Sequence, residues 1–306
     1  MKHFFLINFL ITLFLTSHAQ VNLKETKENR FKTFTSVIKN NVVSIPGDFK
    51  TIGHTFTKDW KTTAAYAIGT LGLITTDKIT TNFLHQHIEP HINYKLPNIA
   101  PINNKVPFLH DADGYIGLPI LGLYATSILI NNKKGQRIAA NATKSLIYSY
   151  IISHLVLKSV FARNRPIRDG YDNPDSFTKN NWDFGNFHPI YPGVRTDGTS
   201  FPSLHATAFF AVAKVMQMEF NNYWIPYTFI AGVFFSQVED HNHWISDLAI
   251  GGLIGTIIGK SIVINSRKQQ KLKQNGVTNY KPGQFKKMIL PQISHNKIGI
   301  HFIATF

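Results

Sequence analysis

Three short stretches decide the fold: KSVFARNRP at 158–166, SFPSLH at 200–205 and SQVEDHNHWISD at 236–247. Each stretch lies at the end of an apolar run and not in its middle; these runs are 146–161, 205–218, 224–235 and 248–264. Consecutive helices that are joined by short connections usually run antiparallel in a bundle. We therefore expect the three stretches to meet on one face of a helical bundle.

The first two stretches bring positive charge and a helix N-terminus to this face. Lys158 and Arg165 are seven residues apart, close to two helical turns, so both side chains point the same way if they share a helix. Ser203 and His205 begin an apolar segment, where free backbone N–H groups and the helix dipole favour an anion. A lone cation at a helix C-terminus usually compensates the dipole, and a serine before a helix usually caps it, so each pair alone is weak.

The third stretch adds a histidine and a carboxylate at helical spacing. His243 and Asp247 are four residues apart, so the carboxylate can hold one imidazole nitrogen and expose the other. Such a pair fixes the tautomer of a nucleophile or a base. The shared face would then carry cations, histidines, a carboxylate and a helix N-terminus. This combination is suited to binding a tetrahedral oxyanion.

In this order and with these spacings, the three stretches resemble the type 2 phosphatidic acid phosphatase (PAP2) and vanadium haloperoxidase superfamily. Its pattern is Lys-x6-Arg-Pro, then Pro-Ser-Gly-His, then Ser-Arg-x5-His-x3-Asp. The resemblance covers roughly residues 110–264 and implies an all-α fold, a bundle of about six core helices. A short C-terminal β-hairpin is a possible addition, because the last residues alternate between apolar and other side chains.

The resemblance implies a role for each residue of the pattern. His243 attacks phosphorus to form a phosphohistidine, Asp247 orients it, and His205 protonates the leaving oxygen and then activates water. The phosphate-binding positions are Lys158, Arg165, Ser203, Leu204 and Gln237, together with nearby backbone N–H groups. The resemblance implies no metal and no cofactor. Phosphoryl transfer needs mainly positioning and charge neutralisation, which these groups supply.

Two of the phosphate-binding positions depart from the pattern. Leu204 replaces a glycine, which keeps the backbone N–H but adds bulk, and Gln237 replaces an arginine. Losing a charge-assisted contact weakens binding by about 1.5–3 kcal/mol. This predicts weaker phosphate binding and intact chemistry. Arg163 and Arg168 are the two candidates to replace the missing cation, and the sequence leaves both open.

Three functions fit this pattern. The leading one is a phosphatase acting on a phosphate monoester, a lipid phosphate or an isoprenoid diphosphate. A vanadate-dependent haloperoxidase is the second, with vanadate as its cofactor, but the chain is short for that class. The third is a degenerate, non-catalytic anion-binding protein, which the glutamine at 237 keeps open.

The N-terminus is typical of an export signal. Lys2 and His3 are basic, Phe4–Leu15 is apolar, and Ser17-His18-Ala19 fits a small-x-small cleavage site. We expect cleavage before Gln20 and an exported, periplasmic protein. The predicted organisation is a signal peptide at 1–19, a polar segment at 20–60, the phosphatase domain at 61–265, and a basic linker with a tail at 266–306. The chain contains no cysteine, so packing alone must hold it together.

The net charge of +15 predicts affinity for anionic surfaces such as lipid headgroups. Nucleic acid is a less favoured partner, because the basic residues are scattered and no aromatic-interleaved basic motif is present. The apolar runs are short for membrane spans, which favours a bundle that does not cross the bilayer, with surface association left open. The histidine-rich segment 79–113 is expected to be a connecting loop and not a metal site.

Overall fold

The computed structural model describes residues 29–92, 94–97, 99, 108–109, 113–168, 173–187, 197–236, 242–274, 288–294 and 297–303. These residues are mainly helical, which confirms the predicted all-α fold. The helices are α1 (Arg30–Val43), α2 (Ile45–Thr57), α3 (Trp60–Phe83), α4 (Gly114–Leu129), α5 (Lys133–Ser149), α6 (Leu204–Phe220), α7 (Trp224–Phe235) and α8 (Ile245–Gln274). Buried apolar side chains form two clusters, one around Phe209 and one around Ile258.

The N-terminal part is more helical than the sequence predicts. A turn is expected at Pro46-Gly47-Asp48, but these residues form the start of α2, and this prediction is wrong. Proline is well tolerated in the first turn of a helix, because the N–H that it lacks has no intrahelical partner there. The buried ion pair between Asp48 and Lys144, at 2.8 Å, joins α2 to α5.

The third helix is also longer than predicted. A helix from Thr62 that closes near Asp77 is expected, but α3 continues to Phe83 and then through π-helical and 3-10 turns to His91. The loop predicted from residue 79 is therefore wrong over its first part. Threonine hydroxyls along α3, such as that of Thr75, bond to carbonyl oxygens four residues earlier, so the threonines are compatible with the helix.

The helix that carries Lys158 begins earlier than predicted and ends at Phe161, where the predicted apolar run ends. The basic stretch 131–137 is expected to be a turn, but the helix starts within it, at Lys133. It runs on from α5 as π-helical turns, Tyr150–Leu157, and a last α-helical turn, Lys158–Phe161. Ala162 then adopts a left-handed conformation with φ 45°. Arg165 therefore lies beyond the helix, so the condition under which both side chains were expected to point the same way, a shared helix, is not met.

Helices α6 and α8 approach each other very closely. A Cβ atom on Gly255 would lie 2.1 Å from the carbonyl oxygen of Thr207, and one on Gly259 would lie 2.4 Å from that of Ala211. Both distances are far shorter than any real contact, so only glycine fits. This approach brings the N-terminus of α8 beside the N-terminus of α6, where Ser203 donates its backbone N–H to the carbonyl of Asp247 at 3.1 Å.

The chain divides into two compact units, Met1–Ser266 and Arg267–Phe306. In the second unit, the end of α8 covers most of the basic run 266–273 that is expected to be a linker. The same unit contains two antiparallel strands, β1 (Met288–Ser294) and β2 (Lys297–Ile303). They lie where the alternating pattern indicates a hairpin.

Within the described residues, one stretch is long and apolar enough to cross a membrane, Ile245–Leu272 of α8. In its most apolar window, 61% of the residues are buried inside the protein. The predicted signal peptide at 1–19 lies outside the described residues.

Candidate active site

The Asp247 carboxylate is the centre of the site. It is fully buried in the first turn of α8. Its Oδ2 atom lies 3.3 Å from Nδ1 of His243 and accepts a hydrogen bond from the backbone N–H of Trp244 at 3.0 Å and from the hydroxyl of Ser200. The predicted pairing of His243 and Asp247 is therefore present in the structure, and it leaves Nε2 of His243 as the nitrogen that faces away from the carboxylate.

Arg163 holds the other oxygen of Asp247. Its guanidinium donates to Oδ1 of Asp247 and to Oδ2 of Asp77, each at 2.7 Å, and it is fully buried. The ring centroids of Phe184 and Trp244 both lie 5.0 Å from its central carbon, which is the geometry of a cation–π contact. Burial raises the pKa of the Asp247 carboxyl, and the positive charge of Arg163 opposes that shift.

Asp77 connects this network to α3. Its Oδ1 atom accepts the backbone N–H of Ser246 at 2.8 Å, so a carboxylate from a distant helix supports the first turn of α8. Sequence reasoning did not identify Asp77, and it considered Arg163 only as a phosphate ligand. The available signal for Asp77 was an acidic side chain shortly after the apolar stretch that ends at Ile74.

Lys158 and Arg165 come together although they do not share a helix. Arg165 donates to the Oγ1 atom of Thr199 at 3.3 Å and to the carbonyl of Asn242 at 3.1 Å, which brings it next to His243. Lys158 is 4% exposed. Burial, together with the charge of Arg165, lowers the pKa of Lys158 to about 7, while Asp247 acts in the opposite direction. Burial also lowers the pKa of Arg165.

The second stretch begins α6 as expected. The Ser203 hydroxyl caps the helix by accepting the N–H of Ala206 at 3.4 Å. Leu204 is the first residue of the helix, and its side chain packs against the apolar core, so the added bulk is turned into the protein.

His205 has a carboxylate partner that the sequence did not indicate. Its Nε2 atom lies 3.2 Å from Oδ2 of Asp113, the residue directly before α4. Asp113 is 4% exposed and therefore buried. In the sequence, Asp113 lies at the end of a segment expected to be a solvated connection, and nothing in its spacing to His205 reveals the contact.

The two arginines considered as substitutes for the missing cation are both engaged elsewhere. Arg163 is held by Asp77 and by Asp247, the carboxylate that also contacts His243. Arg168 pairs with the buried Glu89. Gln237 itself lies outside the described residues.

A further histidine, His154, lies one helical turn before Lys158. Its ring stacks on that of Tyr150, with centroids 4.9 Å apart, and its Nδ1 atom is buried without a hydrogen-bond partner. Burial, followed by the charges of Lys158 and His205, lowers the pKa of His154 to about 4, so its ring is neutral near pH 7. The sequence analysis did not single it out.

The histidine-rich segment after α3 has a structural role where it is described. His85 lies 3.6 Å from Glu89, which also binds Arg168. Across the described parts of the chain, no group of three or more His, Asp or Glu side chains is arranged to hold a metal ion. His110 and Asp111 lie outside those parts.

The family model of the PAP2 superfamily matches residues 139–271, which include every described motif residue of the site. Residues 139–271 of this chain belong to the PAP2 superfamily. Proteins of the PAP2 superfamily typically hydrolyse phosphate esters, so membership supports a phosphatase-type activity on phosphorylated substrates. Comparison with curated proteins and with solved structures found no match.

Proposed function

We propose that this PAP2 protein is a metal-independent phosphatase that hydrolyses phosphate esters through a phosphohistidine on His243. The observation that carries the proposal is the fully buried Asp247 carboxylate, 3.3 Å from Nδ1 of His243. With the Nδ1 proton turned toward Asp247, Nε2 keeps its lone pair and can act as a nucleophile. A nucleophile without such a partner would be free to rotate and to change tautomer.

The reaction has two steps on this site. The lone pair of His243 Nε2 attacks phosphorus while the bond to the leaving oxygen breaks, and His205 gives that oxygen a proton. Water then attacks the phosphohistidine, His205 takes a proton from it, and the electron pair of the N–P bond returns to His243. Lys158, Arg165 and the Ser203 hydroxyl neutralise and orient the phosphoryl oxygens.

We further propose that the phosphate is carried by a lipid or an isoprenoid. On α3, Asp77 and Thr81 face the start of α8, whereas Ile79 and Phe83, on the same two turns, are 76% and 55% exposed. Val160, two residues after Lys158, is 58% exposed. Large apolar side chains therefore reach solvent at the end of the bundle that carries the site, where the apolar part of a lipid substrate would lie.

Hydrolysis assays with matched variants test the phosphatase. The wild type should release phosphate from p-nitrophenyl phosphate, vanadate should inhibit it competitively, and His243→Ala should abolish turnover while the circular-dichroism spectrum is unchanged. Peroxide-dependent bromination in the presence of vanadate would instead identify a haloperoxidase. Vanadate binding with neither activity would identify a non-catalytic anion-binding protein.

A second assay tests the lipid substrate. Ile79→Asp should lower turnover of a lipid phosphate in vesicles by about tenfold, equivalent to about 1.4 kcal/mol, and leave p-nitrophenyl phosphate turnover near the wild-type value. The matched control is Trp224→Asp, because Trp224 is 83% exposed at the start of α7, the end opposite the site. Equal effects of the two variants on lipid turnover would contradict the proposal.

We also propose that the protein acts after export, in the periplasm and in contact with a membrane surface. The signal-like pattern at residues 1–19 supports export, and the net charge of +15 supports attraction to anionic headgroups. The mature protein recovered from the cell should begin at Gln20. Recovery of the protein with Met1 intact from the cytoplasm would contradict export.

A further inference from the structure

A second histidine–carboxylate pair lies beside the catalytic one. Asp113 Oδ2 is 3.2 Å from Nε2 of His205. Asp113 precedes the segment that matches the PAP2 family model, residues 139–271, and it belongs to none of the three motif stretches. The superfamily pattern therefore gives Asp113 no role.

The environment of the pair is asymmetric. The side chain of Asp113 is 5% exposed, whereas that of His205 is 24% exposed. The ring of His205 also packs edge to face on Phe209, with centroids 5.8 Å apart. The carboxylate is thus on the protein side, and the imidazole keeps an accessible edge. A group that must meet the oxygen of a substrate needs such an edge.

A buried carboxylate costs free energy unless it has a hydrogen-bonding or positive partner. The imidazole of His205 provides one, and the carboxylate in turn fixes the rotation of the ring. Because Asp113 is attached to the start of α4 and His205 to the start of α6, the pair also joins two helices at the site. If the ring could rotate freely, its N–H group would often point away from the leaving oxygen and could not donate its proton there.

We propose that Asp113 is a positioning residue for the proton donor of this site, which holds His205 by one ring nitrogen and directs its other edge to the leaving-group oxygen. The inference rests on the proposed phosphatase function. In the first step the proton passes from His205 to the leaving oxygen as the P–O bond breaks. In the second step a proton of the attacking water passes to His205. Asp113 keeps its negative charge throughout and offsets the positive charge that the ring carries before the first transfer and again after the second.

The dependence of the rate on the leaving group tests this role. Nitrophenolate can leave as an anion, whereas an alkoxide needs a proton as it leaves. Asp113→Asn should therefore lower kcat/KM for an alkyl phosphate by about a hundredfold, the low end of a general-acid contribution, and for p-nitrophenyl phosphate by only about threefold. The ratio kcat/KM reports the steps up to the departure of the leaving group, so the later attack of water does not affect it.

The matched control is Glu219→Gln. Glu219 is a buried carboxylate on the same helix as His205, it pairs with Arg137 at 3.1 Å, and it lies at the opposite end of α6. This variant removes a buried charge without touching the site, so it should change kcat/KM for both substrates by the same factor. Asp113→Asn in a His205→Gln background should have no further effect on either substrate, because the ring that it positions is absent.

Two results would overturn the inference and leave the proposed phosphatase function intact. One is that Asp113→Asn lowers kcat/KM equally for both substrates. The other is that Asp113→Asn lowers kcat/KM further in the His205→Gln background. If the wild type turned over neither substrate, the proposed function would fail first. Asp113→Glu provides a second variant that keeps the charge, and it should show a smaller leaving-group bias than Asp113→Asn. If Asp113→Asn does not fold, an unbiased loss in Asp113→Glu contradicts the inference by itself.

Discussion

The charge on Lys158 is the residue-level property that we expect to control anion binding most directly. Burial and the neighbouring Arg165 lower its pKa to about 7, so it is protonated below that pH and loses its charge above it. Phosphate binding should therefore weaken as the pH rises through 7. We expect the inhibition constant for phosphate to rise on the order of tenfold between about pH 7 and about pH 8.5.

Phosphate changes its own charge in this range, so the experiment needs a reference enzyme. In Lys158→Arg the cation stays charged, because a guanidinium does not deprotonate in this pH range. The ratio of inhibition constants for wild type and variant isolates the lysine, and it should rise with pH. A ratio that stays constant from about pH 6 to about pH 8.5 would contradict a pKa near 7.

Gln237 is the second residue whose replacement has a clear expected outcome. Arg163 and Arg168 are held by buried carboxylates, so we expect neither to replace the arginine that the superfamily pattern has at this position. Gln237→Arg should lower the inhibition constant for vanadate by about tenfold, or about 1.4 kcal/mol. Gln237→Lys is the control for charge without bidentate geometry and should give a smaller gain. No gain in either variant would mean that this position does not face the anion.

At this scale the sequence predicts residues that are close in the chain and misses their distant partners. The pairing of His243 with Asp247 follows from helical spacing alone. The contacts of Asp247 with Arg163 and of His205 with Asp113 join positions 84 and 92 residues apart. No local pattern encodes such contacts, because they depend on how α4, α6 and α8 are placed in the fold.

Among the helices, the contact between α6 and α8 is the one that positions the site, because Ser203 and Asp247 lie at the end of this contact. Gly255→Ala would place a methyl group 2.1 Å from the Thr207 carbonyl oxygen. The helices would have to separate, which we expect to lower the free energy of unfolding by about 1–3 kcal/mol. Catalytic activity should fall with it, because His243 and His205 are held by opposite sides of this contact.

Gly69→Ala on α3 is the matched control for the effect of Gly255→Ala on stability and activity. A Cβ on Gly69 would meet no atom within 4 Å. Alanine should therefore stabilise the helix by up to about 1 kcal/mol through its higher helix propensity. Thermal unfolding of both variants provides the test. A Gly255→Ala protein as stable and as active as Gly69→Ala would show that the two helices are not closely packed in solution.

Helix ends were the least predictable elements, for identifiable reasons. The seven-residue spacing of Lys158 and Arg165 equals two helical turns, but the left-handed Ala162 ends the helix between them. The chain then becomes extended, and the carbonyl of Arg163 accepts the backbone N–H of Ser200 at 2.9 Å. The two cations still meet, because tertiary hydrogen bonds replace the helical geometry that the spacing suggests.

For the whole molecule, the account predicts activity without a metal. The proposed phosphohistidine route uses only protein groups and water, so dialysis against EDTA should leave kcat/KM unchanged. Addition of zinc or magnesium to the dialysed protein should not raise it. Activity that EDTA removes and one of these metals restores would instead indicate a metallohydrolase.

The covalent intermediate is the most direct test of the account as a whole. The protein should be mixed with a radiolabelled phosphate ester, quenched in base within one turnover, and digested for peptide mapping. We predict acid-labile label on the peptide that contains His243, at the same position in EDTA-treated protein and absent in His243→Ala. Turnover with no label on His243, or with label on another residue, would contradict the proposed mechanism.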